Sequence, residues 1–125
     1  MDELVLIVDD NERNIRLARD ILQVSGFRTI EASTGGESVS LASEHLPDVV
    51  LMDIRLPDMD GVEALRALRA SEATASIPVV AVTALAMKGD RERFLEAGFD
   101  GYLEKPIDVR AFPRQVRGFC ESKTG

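Results

Sequence analysis

Residues 4–10, LVLIVDD, join an uninterrupted apolar run to two acidic residues at its end. Two further stretches have the same plan, VVLMD at 49–53 and VVAVT at 79–83. Because no polar residue alternates with the apolar ones, each run is typical of a strand that is covered on both faces. Such strands belong to parallel sheets with helices packed on either side. The sequence therefore predicts an α/β protein with polar side chains placed directly after its buried strands.

Helical patterns fill the segments between these runs. In residues 11–24 apolar side chains recur every three or four positions, and Gly26 supplies a stop. The whole chain gives five strands, near residues 4–8, 27–32, 49–52, 79–82 and 102–103, and five helices, near 11–24, 36–45, 62–70, 86–97 and after Asp108. This alternation predicts a doubly wound, five-stranded parallel sheet in a single domain, residues 1–125. Pro113 would break a helix interior, so the last helix should begin late or kink there.

Composition narrows the possible partners and the compartment. The 125 residues carry 22 acidic and 15 basic side chains, a formal net charge of -7, which disfavours contact with nucleic acid or an anionic membrane face. The longest apolar stretches are far shorter than the ~20 residues that cross a bilayer. The chain opens with Met1-Asp2-Glu3 rather than an export leader, and its lone cysteine, Cys120, suits a reducing compartment. We expect a cytoplasmic protein with a protein partner or a small ligand.

Reactive and charged side chains follow the predicted strands, where ligands bind in sheets of this kind. They are Asp9 and Asp10, Asp53, Thr83, and Lys105-Pro106. Three carboxylates brought together would raise one another's pKa unless a cation neutralises them. Oxygen ligands completed by water suit Mg²⁺, which commonly binds one or two carboxylates together with phosphate oxygens. Lys105 would then offer a point charge, and Thr83 a hydroxyl, to a phosphate.

This set of residues resembles the receiver domain of bacterial response regulators over nearly the whole chain. The residues that carry the resemblance are Asp9-Asp10, Asp53 with Pro57 and Gly61 behind it, Thr83-Ala84, Tyr102 and Lys105-Pro106. The resemblance implies a CheY-like, flavodoxin-like fold with the strand order 2-1-3-4-5, the order of the family's chemotaxis member. It also implies a phosphorylation switch of a two-component phosphorelay rather than an enzyme, although a receiver takes part in its own phosphotransfer and dephosphorylation.

The resemblance assigns a role to each residue of the site. Asp53 would accept the phosphoryl group, with Lys105 pairing with the phosphoryl oxygens. Mg²⁺ would be held by Asp10 and Asp53 directly, by Asp9 directly or through water, and by the backbone carbonyl of Arg55. The Lys105-Pro106 peptide bond would be cis. Thr83 would move to bond the phosphoryl group, and Tyr102 would turn inward behind it.

The resemblance also implies partners. The phosphoryl donor would be a histidine kinase or a histidine phosphotransfer protein. Output would pass to a downstream protein through the fourth helix, fifth strand and fifth helix, with the chain a monomer or a weak dimer through the same surface. Within the family the chain is similar to single-domain regulators of cell division and polarity in alphaproteobacteria and to receivers fused to hybrid histidine kinases. Met1 just before the first strand favours a stand-alone protein, but a receiver excised from a larger chain fits as well.

Several residues also have ordinary structural interpretations. Asp10 or Asn11 could simply cap the helix that follows, and Tyr102 could be a core side chain with its hydroxyl at the rim. His45, at a helix end, is expected to face solvent rather than bind a ligand. The apolar segment 85–87, with Phe94, is either core or a candidate partner contact.

Three other functions compete with a phosphorylated receiver. A phosphatase of the haloacid-dehalogenase type would carry a second aspartate two residues after the nucleophile, where this chain has Arg55. A flavin-binding module would carry a Ser/Thr/Gly-rich phosphate loop after the first strand, where this chain has the acidic residues 9–12. A receiver that acts only by docking would have lost a residue of the pocket, and none is lost.

Overall fold

Five parallel strands form one sheet in the order predicted by the resemblance, β2-β1-β3-β4-β5. The computed structural model describes residues 3–84 and 88–122. The strands are β1 (Leu4–Val8), β2 (Arg28–Ala32), β3 (Val49–Asp53), β4 (Val79–Thr83) and β5 (Gly101–Glu104). The helices are α1 (Glu12–Val24), α2 (Gly35–His45), α3 (Gly61–Ala70), α4 (Asp90–Ala97) and α5 (Phe112–Ser122). The predicted α/β class and strand order are confirmed.

The core consists of two apolar layers, one on each face of the sheet. Alternate residues of β1 point to opposite faces, so Val5 and Ile7 pack with α1 and α5 while Leu6 and Val8 pack with α2, α3 and α4. All residues of β1, β3 and β4 are buried. Burial on both faces explains why these three strands were the clearest signal in the sequence.

Polar side chains cap the amino termini of three helices. Asn11 caps α1 by accepting hydrogen bonds from the amides of Arg13 and Asn14, Thr34 caps α2 and Asp60 caps α3. In each case the capping oxygen satisfies an amide that lacks a partner within the helix. The Asn11 side chain therefore has the structural role that the sequence left open.

Two helices begin later than a continuous apolar pattern would place them. Helix α4 begins at Asp90 because Gly89 has a φ of 89°, a left-handed conformation that a right-handed helix cannot contain. The predicted start at Ala86, and the candidate contact at 85–87, lie outside the described residues. Helix α5 begins at Phe112, which puts Pro113 in its first turn, where the missing N–H breaks no bond. The prediction of a late start is confirmed.

The register of the sheet brings the carboxyl ends of its strands together. Val8 of β1 lies opposite Met52 of β3, so the residues that follow them, Asp9 and Asp53, meet at one edge. Thr83, the last residue of β4, joins the same edge. Among the described residues, no helix has the length and apolar character needed to cross a membrane.

Candidate functional site

An open cleft of about 380 Å³ lies at the carboxyl edge of the sheet. The structure brings together there the predicted site residues of four strand ends. The residues lining it are Asp9, Asp10, Asn11, Asn14, Asp53, Arg55, Thr83, Ala84 and Lys105. Asn11 and Asn14 were not predicted to belong to the site, and Ala84 was named only beside Thr83 as part of the resemblance. Asn14 lies one helical turn after Asn11, and this spacing could have placed both side chains on the same side of α1.

Three carboxylates form the floor of the cleft. One oxygen from each of Asp9, Asp10 and Asp53 lies within 4.8 Å of the others. Asp9 and Asp53 are buried, whereas Asp10 is exposed. Two like charges at that separation repel by about 3.5 kcal/mol at an effective dielectric constant of about 20. A small divalent cation would remove this repulsion, and carboxylate oxygens are the ligands that Mg²⁺ prefers, so the donor set fits this ion.

Lys105 supplies one positive charge to the three carboxylates. Its Nζ lies 2.7 Å from Oδ2 of Asp9 and 3.2 Å from Oδ2 of Asp53. Burial alone would lower the pKa of the ammonium, but the hydrogen bond to Asp9 and the charges of Asp53 and Asp9 outweigh it, and the pKa of Lys105 is raised. The side chain therefore stays protonated between the two aspartates. The Lys105-Pro106 peptide bond is cis.

The carboxyl group of Asp53 is held in a fixed orientation. Its Oδ1 accepts a hydrogen bond of 3.1 Å from the backbone amide of Arg55, while Oδ2 faces Lys105. Burial raises the pKa of Asp53 and the charge of Asp9 adds to this, although the Arg55 amide and the Lys105 ammonium oppose them. The buried carboxylate is therefore incompletely neutralised by its neighbours.

The loop after Asp53 turns back sharply to α3. The amide of Gly61 donates to the carbonyl of Ile54 at 2.8 Å, and Arg55 forms a β-bridge with Asp60. A Cβ at position 61 would lie 2.8 Å from the carbonyl oxygen of Asp53, so only glycine permits this approach. The backbone of Arg55 is thereby held at the edge of the cleft.

Thr83 lines the cleft, whereas Tyr102 does not. Thr83 is buried, and its carbonyl accepts the amide of Lys105 at 2.9 Å. The ring of Tyr102 is already buried, stacked on Phe94 with the ring centroids 6.0 Å apart. Its hydroxyl is buried and has no hydrogen-bond partner among the described residues. Burial, with the charges of Glu104 and Asp90, raises the pKa of Tyr102.

His45 lies at the exposed end of α2. Its Nε2 is 3.9 Å from the carboxylate of Glu44, and it does not line the cleft. The structure thus places it on the surface, as the sequence indicates.

Comparison with known proteins gives a consistent family assignment. The sequence profile of the response regulator receiver domain matches residues 5–117. The polar-differentiation response regulator DivK of Brucella ovis is 45% identical over 119 residues, which cover 95% of this chain and 97% of that protein.

Solved receiver structures superpose closely on the chain. The receiver domain of a sensor histidine kinase from Pseudomonas aeruginosa PAO1, solved with a magnesium ion coordinated in the active site cleft, is 35% identical, has a TM-score of 0.87 and covers 97% of this chain and 99% of its own. A CheY-like receiver from Methanospirillum hungatei JF-1 is 27% identical, with a TM-score of 0.86 and coverage of 99% and 98%. The chain belongs to the response regulator receiver domain family, whose members are signalling switches that interact with histidine kinases and downstream targets.

Proposed function

We propose that the chain is a Mg²⁺-dependent phosphorylation switch in which Asp53 accepts a phosphoryl group from a histidine kinase or a histidine phosphotransfer protein. The observation that carries the proposal is the position of Asp53, which is buried at a strand end, 3.2 Å from the ammonium of Lys105 and within 4.8 Å of the carboxylates of Asp9 and Asp10. A carboxylate in these surroundings can act as a nucleophile whose product is stabilised by adjacent positive charge.

In the proposed transfer, an Asp53 oxygen forms a bond to phosphorus as the bond between phosphorus and the donor's imidazole nitrogen breaks, and the electron pair of that bond stays on the nitrogen. The hydrogen bond from the Arg55 amide orients the attacking carboxylate. Lys105, already beside Oδ2 of Asp53, pairs with the phosphoryl oxygens. Bound at Asp9, Asp10, Asp53 and the Arg55 carbonyl, Mg²⁺ would neutralise the carboxylates and the phosphoryl oxygens. Hydrolysis of the aspartyl phosphate at the same site returns the switch to its starting state.

The donor must bring its phosphohistidine to this cleft. An apolar groove adjoins the cleft between α1 and the loop after β5, and it shares Asp9, Asn14 and Lys105 with it. Leu17, whose side chain is 43% exposed, lies in the groove. We propose that an apolar side chain near the donor histidine packs here. We place the exchange in the bacterial cytoplasm, where Cys120 would remain reduced.

Output would pass through the surface formed by α4, β5 and α5. Phosphorylation replaces the carboxylate charge of Asp53 with a charge of about -1.5 to -2, and Thr83 would move to bond the phosphoryl group. Tyr102, in β5, connects the strand to α4, because its ring stacks on the ring of Phe94. A downstream protein, or a second copy in a weak dimer, would bind the altered surface. No direct contact with nucleic acid or a membrane is part of this proposal.

The proposal is tested by incubating the protein with Mg²⁺ and acetyl phosphate and weighing it by intact-mass spectrometry. The wild type should gain the mass of one phosphoryl group, and EDTA should suppress the gain. Asp53→Ala should show no gain, whereas Asp20→Ala, which changes an exposed aspartate of α1, should react like the wild type. An unmodified wild type, or equal modification of Asp53→Ala, would contradict the assignment of Asp53.

A further inference from the structure

Asp58 joins the loop after Asp53 to a different helix. Its Oδ1 accepts a hydrogen bond of 2.8 Å from the amide of Gly35, and its Oδ2 one of 2.9 Å from the amide of Gly36. These amides belong to the first turn of α2 and have no acceptor within the helix. Hydrogen bonds from the amides of Gly36 and Gly35 lower the pKa of Asp58, so the carboxylate is ionised when it bridges the two elements.

The neighbouring residue strengthens the same connection. A Cβ at position 35 would lie 2.4 Å from Cγ of Met59. Gly35 thus leaves the space that Met59 occupies, and residues 58 and 59 together bind the first two residues of α2. The contact joins segments 22 or 23 residues apart in the chain.

The loop held in this way carries Arg55, three residues before Asp58. The contacts from Gly61 to Ile54 and from Arg55 to Asp60 close the loop on itself. Apolar side chains of the loop, Ile54, Leu56 and Met59, pack against the core. The two hydrogen bonds of Asp58 add a polar connection from the loop to α2. We propose that Asp58 is a positioning residue, which holds the Arg55 carbonyl at the distance from Asp9 and Asp10 that a bound Mg²⁺ requires. This inference rests on the proposed magnesium site.

A mere loss of stability must be separated from a loss of positioning. Thr34 provides the matched control, because its hydroxyl caps the same helix by accepting the Glu37 amide at 3.0 Å, a hydrogen bond to α2 itself rather than to the loop. Thr34→Val and Asp58→Ala each remove a cap of α2, but only Asp58→Ala also removes the hydrogen bonds between α2 and the loop. Asp58→Asn keeps one acceptor oxygen and places an amide donor opposite the second backbone amide, so its effect should be intermediate.

The experiment titrates MgCl₂ into the uniformly ¹⁵N-labelled protein and follows backbone amide shifts, that of Arg55 among them. The dissociation constant for Mg²⁺ should rise about tenfold in Asp58→Ala, the low end of the effect of removing residues that support metal ligands. It should rise less in Asp58→Asn and stay at the wild-type value in Thr34→Val. In acetyl phosphate reactions, the Mg²⁺ concentration at half-maximal rate should rise in Asp58→Ala, while the rate at saturating Mg²⁺ stays near that of the wild type.

A wild-type dissociation constant in Asp58→Ala, or an equal increase in Thr34→Val, would overturn the positioning role. If Asp58→Ala does not fold, Asp58→Asn against Thr34→Val decides the question by the same criterion. A wild type whose amides do not respond to MgCl₂ would instead overturn the proposed magnesium site.

Discussion

Replacing Asp53 by asparagine should stabilise the protein in the absence of Mg²⁺. The charge of Asp53 is opposed by Asp9 and Asp10, whose oxygens lie within 4.8 Å, and is favoured by Lys105 at 3.2 Å. At an effective dielectric constant of about 20, each repulsion amounts to about 3.5 kcal/mol and the attraction to about 5 kcal/mol. Two repulsions therefore exceed the attraction by about 2 kcal/mol. Because Asp10 is exposed to solvent, which screens its charge, we expect the free energy of unfolding of Asp53→Asn to exceed that of the wild type by about 1–2 kcal/mol.

The substitution keeps the shape of the side chain but replaces Oδ2, which accepts from Lys105 at 3.2 Å, by an amide donor. Asparagine has the shape of aspartate, and its Oδ1 can still accept the hydrogen bond from the Arg55 amide. The gain should therefore arise from the removed charge rather than from new contacts. It agrees in sign with the raised pKa of Asp53, because burial and the charge of Asp9 disfavour the ionised form in the folded protein.

The assay is urea unfolding and thermal unfolding of the wild type and Asp53→Asn, in EDTA and in Mg²⁺. In EDTA the variant should be more stable, with a melting temperature higher by about 4 °C per kcal/mol. The wild type should gain about 2.7 kcal/mol at a Mg²⁺ concentration of about 100 times its dissociation constant, and the variant should gain less because it has lost a ligand charge. Asp20→Asn, at a position with 61% side-chain exposure, should change stability by less than about 0.5 kcal/mol.

Two outcomes would refute this reasoning. One is an Asp53→Asn variant no more stable than the wild type in EDTA. The other is a variant that gains as much stability from Mg²⁺ as the wild type does. Either result would mean that the three carboxylates do not act as one repelling group.

Three further predictions concern packing and hydrogen bonding. Gly101→Ala should destabilise the fold by about 1–3 kcal/mol in urea unfolding, because the new Cβ would lie 2.2 Å from the ring of Phe119. Its control is Gly118→Ala, which has no atom near the new Cβ and should stabilise the fold by about 0.5–1 kcal/mol. Arg69→Met should lower the free energy of unfolding by about 2 kcal/mol, since the guanidinium donates to three carbonyls and one carboxylate around the end of α3. An unfolding midpoint equal to that of the wild type would contradict this. Hydrogen bonds from Gly36 and Gly35 lower the pKa of Asp58 in the folded protein. The Asp58 carboxylate therefore stabilises the fold above its unfolded-state pKa, and this stabilisation is lost as the pH falls through its folded-state pKa. The difference in melting temperature between the wild type and Asp58→Asn should shrink in acid.

The fold was predictable because its strongest signals are local. β1, β3 and β4 are buried on both faces, and that burial requires apolar runs that are visible without any alignment. The edge strand β2 is mostly only half-buried and carried a weaker signal. The beginning of α4 at Asp90 depends on the positive φ of Gly89, which composition does not reveal.

The residues of the site were predictable from topology, but their mutual contacts were not. Strand ends of a parallel sheet share one edge, so Asp9, Asp53 and Lys105 could be placed together from the chain order alone. That Lys105 lies 0.5 Å closer to Asp9 than to Asp53 depends on side-chain packing across the sheet. The bridge from Asp58 to α2 joins segments that are remote in sequence, and no local pattern indicates it.

The unequal pairing of Lys105 bears on how the site can act as a switch. The ammonium lies nearer Asp9, at 2.7 Å, than Asp53, at 3.2 Å, so Asp53, the proposed phosphoacceptor, is the less neutralised of the two buried carboxylates. A phosphoryl group on Asp53 would carry more negative charge than the carboxylate does, and it would compete with Asp9 for the same cation. The Lys105 amide is bonded to the carbonyl of Thr83 at 2.9 Å, and Tyr102 precedes Lys105 by three residues. A shift of Lys105 toward Asp53 would therefore act on β4 and β5 together. Because Tyr102 stacks on Phe94, we expect α4 to respond with these strands rather than independently of them.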